Sequence, residues 1–434
     1  MINSKKKGFT IVELVIVIAV VAILAAVLIP TFSSLVRKAN ISSDTVVAKN
    51  LNTAAISADA KNFDEAIEAV RDAGYLVVNL NTKAKDCYFV WDEENDQFLL
   101  VDFSENLKVI YSNSEPSVDK ENWFVAVSDA QKISEVLSEG CSVKKLVTKI
   151  SDLNAAIEAG EDFYMDESVV LNDANLLNIT SGKTFSINVG NSSIATNGVL
   201  NNTPIFVNGA AELTINGGTI GGAGNVSNEN GTFTYVMSVN SNGRLILNDV
   251  KINAIVSGVA ACAKVDGDAY VEINDGVINA GDYAVSMSCG KKGGKAVINN
   301  TNTNAAVPFF VSQGSKIIVN GGEHVSNGKT TSQGHSNCIF YIHDTGGTIE
   351  VTDGEFTAET VIELTLDKIS TPDAVSEMYI SGGKFDGLIN VVAGCKLEIS
   401  GGTFTNTGLT LDEFKTYVKS GHTVETVNGA FVVK

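Results

Sequence analysis

Met378-Tyr379-Ile380-Ser381-Gly382-Gly383-Lys384-Phe385 returns 19 residues later as Leu397-Glu398-Ile399-Ser400-Gly401-Gly402-Thr403-Phe404. Each copy reads apolar, variable, apolar, small polar, two glycines, variable, phenylalanine. The same phase surrounds turn markers at Asn216, Asn248, Asn274, Asn299, Asn320, Thr352, Ser381 and Ser400, spaced 19 to 32 residues apart. Apolar residues stand one and three positions before each marker, as in Leu213 with Ile215 and Val271 with Ile273. Four positions after the markers come Ile220, Ile252, Ile278, Thr303, His324, Phe356, Phe385 and Phe404. A β-sandwich shows turn signals every 8–12 residues or so, without a fixed side-chain phase about each one. A parallel β-helix keeps that phase, because each coil lays its strands about 4.8 Å above those below and like residues stack. The repeat therefore predicts a right-handed parallel β-helix over residues 165–408, with a β-sandwich array as the alternative. Isoleucine and phenylalanine should form one inward column, and asparagine should sit at the corners.

Open sheet ends pair with other chains unless covered. An amphipathic helix over 151–159 (Leu153, Ala156, Ile157) precedes the first coils, within a linker and capping segment at 130–164. After the last coil, 409–434 reads as a second cap: a helix over 409–418, then a Val427-Asn428-Gly429-Ala430 hairpin signal.

Composition narrows the function. The 434 residues carry 31 basic and 50 acidic side chains, a net charge of −19, and only Arg37, Arg71 and Arg244 are arginine. Nucleic acid is excluded as a partner, because phosphate binding needs a basic face. The 44% apolar content supports a real core, and 39 glycines against 5 prolines indicate tight turns between strands. Six cysteines are too few for a disulfide scaffold.

Ahead of the repeat, residues 87–91, 97–101 and 107–111 alternate with period two between acidic or asparagine-containing turns. They predict an antiparallel meander, with 123–127 as a possible fourth strand, in a small head spanning 61–129. Residues 62–73 read as a short helix ended at Gly74. Before it, Leu35, Val36, Ala39, Val46, Val47, Leu51, Ala54 and Ala55 make one amphipathic helix continuing to about Ala60.

The amino terminus carries a basic head, Lys5-Lys6-Lys7-Gly8, then 21 residues from Phe9 to Ile29 with one charge, Glu13. As a helix of about 32 Å that stretch spans a bilayer, with the lysines held in the cytoplasm. It is too long for a cleaved secretory signal. A plain membrane anchor leaves Glu13 unexplained, since a carboxylate within a span is costly. The run Lys7-Gly8-Phe9-Thr10-Ile11-Val12-Glu13-Leu14 resembles the leader of type IV prepilins.

That resemblance covers roughly residues 5–60 and implies several things. A membrane peptidase removes the leader, residues 1–8, by cutting between Gly8 and Phe9, and it methylates the new amine on Phe9. Glu13 becomes the fifth mature residue and Pro30 the twenty-second, where the family carries its glutamate and its helix-kinking proline. The pilin helix is then 9–60, with a transmembrane half at 9–29. The physical logic agrees: an amine from a neighbouring subunit offsets the cost of a carboxylate in an apolar filament core and fixes the axial register.

Other candidate sites are weaker. Cys262, Cys289, Cys338 and Cys395 fall at similar distances after a marker and would stack on one wall as buried thiols. A Cys262–Cys289 bridge or a Cys87–Cys141 bridge is allowed outside the cell. His335, Cys338 and His343 have loose metal-like spacing without a second cysteine pair, so no metal is assigned. The turn at 92–96 is acidic enough for calcium but reads as a solvated hairpin. Asp266 and Asp268 pair, and Arg244 is the rod's only arginine, but no repeated constellation supports catalysis. The reading is therefore non-enzymatic and without cofactors: a membrane-held, then surface-exposed minor or tip pilin displaying a β-helix interaction module. Its partners are the prepilin peptidase, other pilin subunits and a glycan or protein ligand met by the side loops at 217–247 and 321–351. A pseudopilin of a secretion or DNA-uptake apparatus and a membrane-anchored β-helix lyase or hydrolase are the alternatives.

Overall fold

The computed structural model describes residues 11–74, 82–127, 136, 139–147, 150–160, 162–165, 168–172, 176–180, 182–196, 203–221, 235–240, 242–254, 257–261, 268–288, 294–331, 334–335, 337–367 and 369–434. The chain divides into two compact units, Met1–Lys144 and Lys145–Lys434.

The first unit opens with α1 (Ile11–Ser57), which contains Pro30. Its first half is apolar apart from Glu13 and largely exposed, whereas Ala48, Leu51, Ala54 and Ala55 farther on are buried. A second helix, α2 (Phe63–Asp72), is capped by Asn62, whose side chain accepts from the Glu65 amide at 2.9 Å. Gly74, at φ +81°, provides the left-handed residue that ends it. The head is an antiparallel sheet of β1 (Cys87–Asp92), β2 (Gln97–Asp102), β3 (Lys108–Tyr111) and β4 (Trp123–Val127), in the order β4-β1-β2-β3. Both tryptophans, Trp91 and Trp123, are fully buried there. The meander and its fourth strand thus form where alternation placed them.

In the second unit the marker-bearing strands pair in parallel, each with its counterpart one repeat on. One ladder climbs through Glu212–Gly221, Arg244–Asn248, Tyr270–Asn274, Lys295–Asn299, Lys316–Ser326, Gly347–Leu364, Ser376–Ile380 and Lys396–Ile399. The residues before each marker point inward and are buried, from Leu213 and Ile215 to Leu397 and Ile399. A second ladder, just past the markers, stacks Ile220 on Ile252, Ile278, Thr303, His324, Phe356, Phe385 and Phe404 in unbroken register. Ring centroids step by 4.9 Å from His324 to Phe356, 4.7 Å to Phe385 and 4.6 Å to Phe404. Those steps equal the strand spacing, so the rings stack because the strands do. A third ladder, through Tyr235–Asn240, Ser257–Ala261, Tyr283–Ser288, Val307–Ser312 and Cys338–Ile342, completes the enclosure of the core.

At the corners the marker amides form a chain. Asn216 donates to Asn188 at 2.7 Å, Asn248 to Asn216 at 2.8 Å, Asn274 to Asn248 at 2.8 Å, Asn299 to Asn274 at 2.7 Å and Asn320 to Asn299 at 2.9 Å. The Thr352 hydroxyl continues it onto Asn320 at 2.8 Å. Each asparagine amide donates to the coil below and accepts from the coil above, which only an identical residue at an identical phase can repeat.

Both ends are covered. Helix α3 (Ile150–Ala159) buries Leu153, Ala156 and Ile157 in the core. At the far end α4 (Leu411–Lys415) is shorter than the 409–418 expected, starting at a Thr410–Glu413 capping box. Val418 bridges to Ile399, and the hairpin of Val424–Val427 and Ala430–Val433 runs antiparallel to Gly402–Thr405. Its turn has Asn428 and Gly429 at φ +52° and +84°, the left-handed pair an Asn-Gly hairpin requires.

Candidate assembly helix and its anchorage

Gly8 and Phe9 lie outside the described residues. Glu13 lies in the first turn of α1, where aligned peptide dipoles favour a carboxylate. Beyond it run Leu14, Val15, Ile16, Val17 and Ile18, all exposed, and an 18-residue window of α1 has a mean hydropathy of 3.2 with none of it buried. That length and composition suffice to cross a membrane. Among the described residues nothing covers this apolar surface.

The second half of α1 is held to the head by polar side chains that hydrophobic patterning did not single out. The Asn52 side chain accepts from the Phe98 amide at 2.8 Å and donates to the Phe98 carbonyl at 2.7 Å, closing a two-way clasp on β2. Asp44 accepts from the Lys83 and Ala84 amides at 3.0 and 2.8 Å. Arg37 pairs with the buried Asp102. Burial opposes ionisation of Asp102, but hydrogen bonds from Arg37 and Ser104 outweigh it and hold the carboxyl below the ordinary range. Spaced seven and eight residues apart, the three lie on one face of the helix. The signal available in the sequence was this spacing of polar residues within an amphipathic pattern.

The remaining candidates resolve as structure. Cys87 and Cys141 are both buried as free thiols, each pushed up to about 11 by burial, so the allowed bridge is not formed. Cys262 and Cys289 lie outside the described residues. Cys338 and Cys395 do not stack: Cys338 opens a strand and pairs with Thr360, whereas Cys395 is half-buried beside Lys396–Ile399. Coil lengths vary, so counting from a marker loses phase after the next turn. His335 and His343 sit 5.7 Å apart, ring to ring, with the Tyr283 hydroxyl 2.6 Å from His335 Nδ1. Among the described residues no three His, Cys, Asp or Glu side chains converge as a metal site. The 92–96 turn closes the β1–β2 hairpin, and Asp92 is buried, accepting from the Ser117 amide at 2.8 Å. Asp266 lies outside the described residues and Asp268 is exposed. Arg244 stacks over Tyr270 at 4.2 Å and binds Glu212 at 3.0 Å, one coil to each side.

Comparison with known proteins bears on the helix. Residues 3–29 match the family model for the prokaryotic N-terminal methylation motif. Over 59 residues, 14% of this chain, the sequence is 52% identical to the type IV wide pilus major component PilA4 of Thermus thermophilus. The match spans 38% of that relative's length. No solved structure matches the chain. At its amino terminus, then, the chain is type IV pilin-like and carries a prepilin methylation motif.

Proposed function

We propose that this chain is a minor or tip subunit of a type IV pilus-like filament, displaying a right-handed parallel β-helix as a non-enzymatic interaction module. The observation that carries the proposal is an exposed apolar helix, bearing the methylation motif, in one chain with a β unit whose two ends are both covered. A unit capped at both ends offers no edge for polymerisation, which leaves assembly to the helix. The parallel register, repeated coil after coil with runs of like residues in each column, supports a β-helix over an antiparallel sandwich.

In this reading the prepilin peptidase cuts after Gly8 and methylates Phe9. The new amine of one subunit pairs with Glu13 of another, and Pro30 bends the helix in the packed filament. Before cutting, the helix resides in the cytoplasmic membrane with its lysines inside; afterwards the subunit stands on the cell surface. Intact-mass analysis of membrane-extracted protein should give a chain beginning at N-methyl-Phe9. Retention of Met1 removes the proposal. Glu13→Val should leave cutting intact and abolish filament incorporation, read by antibody labelling of sheared surface filaments.

A further inference from the structure

A cleft of about 800 Å³ opens on the second unit where the turns at 313–314 and 345–347 meet the segment 371–375. Its far wall is a hook inserted between two strands, and the hook is built rather than loose. Asp367 accepts from the Ile369 and Ser370 amides at 2.9 and 3.2 Å, and the Thr371 hydroxyl donates to the Asp344 and Asp367 carbonyls at 3.1 and 2.6 Å. The Ser376 hydroxyl ties the base to the Thr365 carbonyl at 2.8 Å. The Gly347 amide bonds the Val375 carbonyl at 2.8 Å, and a Cβ on Gly346 would meet that same oxygen at 2.5 Å, so glycine is what lets the hook approach.

The Thr345 and Thr371 hydroxyls are engaged within the wall, but four other polar side chains lining the cleft are not. Among the described residues no hydrogen bond or ion pair engages the side chains of Gln313, Thr348, Asp373 or Glu377. Glu377 is the telling case. It lies between Thr348 and Lys396 in register, yet Lys396 reaches instead to Glu398 at 3.2 Å and the Tyr379 hydroxyl at 3.2 Å. Among the described residues no basic side chain lines the cleft, while Pro372 and the half-exposed Val375 add an apolar strip.

The geometry points to a binding site for a neutral saccharide, about one or two rings, in the cleft between the 313–314 turn and the 371–375 segment. This rests on the reading of the unit as an interaction module. The volume falls within the range of small-molecule sites, about 300–1,000 Å³. Carboxylates accept strongly from sugar hydroxyls, an amide and a hydroxyl both donate and accept, and the strip suits a ring's C–H face. Uncompensated carboxylates repel uronates and phosphorylated sugars. A cationic peptide would engage Asp373 and Glu377 but leave Gln313, Thr348 and the strip without a role.

The full chain in detergent should be titrated calorimetrically with neutral hexose and N-acetylhexosamine di- and trisaccharides, trigalacturonate and tetralysine. The expected result is saturable binding of at least one neutral saccharide, weakened about tenfold or more by Glu377→Gln and by Asp373→Asn. Asp412→Asn, at an exposed carboxylate on α4, should leave it unchanged. Thermal melts of each variant establish that the unit is still folded. Neutral-saccharide binding insensitive to both cleft variants, binding of tetralysine alone, or no binding at all overturns the assignment. A chain that is processed at Gly8 and enters filaments yet binds no saccharide defeats this inference alone. One that binds saccharide but keeps Met1 defeats the pilin reading alone.

Discussion

The first half of α1 and the interior of residues 145–434 are made of the same apolar residue types, disposed in opposite ways. Ile11, Leu28 and Phe32 are 81%, 61% and 70% exposed, whereas Ile252, Ile273 and Phe340 are fully buried. The difference follows from backbone hydrogen bonding. A helix satisfies its amides and carbonyls within itself and so can turn apolar side chains outward to lipid or to another helix. A strand must pair with a neighbour, and here the parallel pairing also stacks inward side chains in the core. One region is therefore incomplete without an environment, and the other completes itself.

The largest effect expected of any change considered is from Phe385→Asp. It places an unpaired carboxylate between Phe356 and Phe404, in a column with no polar partner at that height. A loss of about 4 kcal/mol or more is expected, enough to unfold the unit. Both tryptophans belong to the first unit, so tryptophan emission should stay unchanged while hydrogen exchange across 145–434 accelerates. A change in tryptophan emission of equal size would erase the contrast between the two regions.

Much of this contrast was legible in the chain. Side-chain direction alternates with period two, and a marker fixes where the alternation starts, so the inward column could be named residue by residue from Ile220 to Phe404. The third ladder was not legible. Its strands, such as Tyr235–Asn240 and Val307–Ser312, are buried on both faces, so they show no alternation and follow turns of uneven length. The same unevenness misled the cysteine phase. In the first unit, patterning found the head and both helices but missed Arg37, Asp44 and Asn52, because a search for apolar periodicity passes over polar residues that share the helix's inward face.

A middle-sized effect should come from acid. His324 occupies the inward column between Thr303 and Phe356, and burial pushes its imidazole down to about 4. Its Nε2 lies 3.0 Å from the Gly321 carbonyl, which can only accept, so Nε2 bears the hydrogen. Nδ1, 2.9 Å from the Thr303 hydroxyl, is then the acceptor of a neutral ring. Because the folded pKa lies below the unfolded value, the unfolded chain binds more protons between the two. The stabilisation is complete above about pH 6.5 and is lost as pH falls towards 4, by about 3 kcal/mol in all. Denaturant midpoints of the second unit measured across that window should fall with pH. In His324→Phe, which extends the ring stack, the slope should shrink, even though Thr303 and Gly321 lose a partner. An unchanged slope would mean that this imidazole is not the buried group being titrated.

The smallest effect is expected one residue from the largest. Lys384 precedes Phe385 on the same strand and points outward, its ammonium 2.5 Å from Glu355 on the coil below. Both side chains are mostly exposed, at 71% and 56%. The attraction acts through solvent and is screened by salt, and pinning two long side chains costs entropy. Lys384→Ala should therefore destabilise the unit by less than about 1 kcal/mol, and by less still in molar salt. Denaturant melts of the two neighbouring variants should differ several-fold in their effect. If Lys384→Ala instead proved comparable to Phe385→Asp, the strand would be facing the other way, since a slip of one residue exchanges every inward side chain for an outward one. The unbroken ring stack from His324 to Phe404 would then have to be abandoned with it.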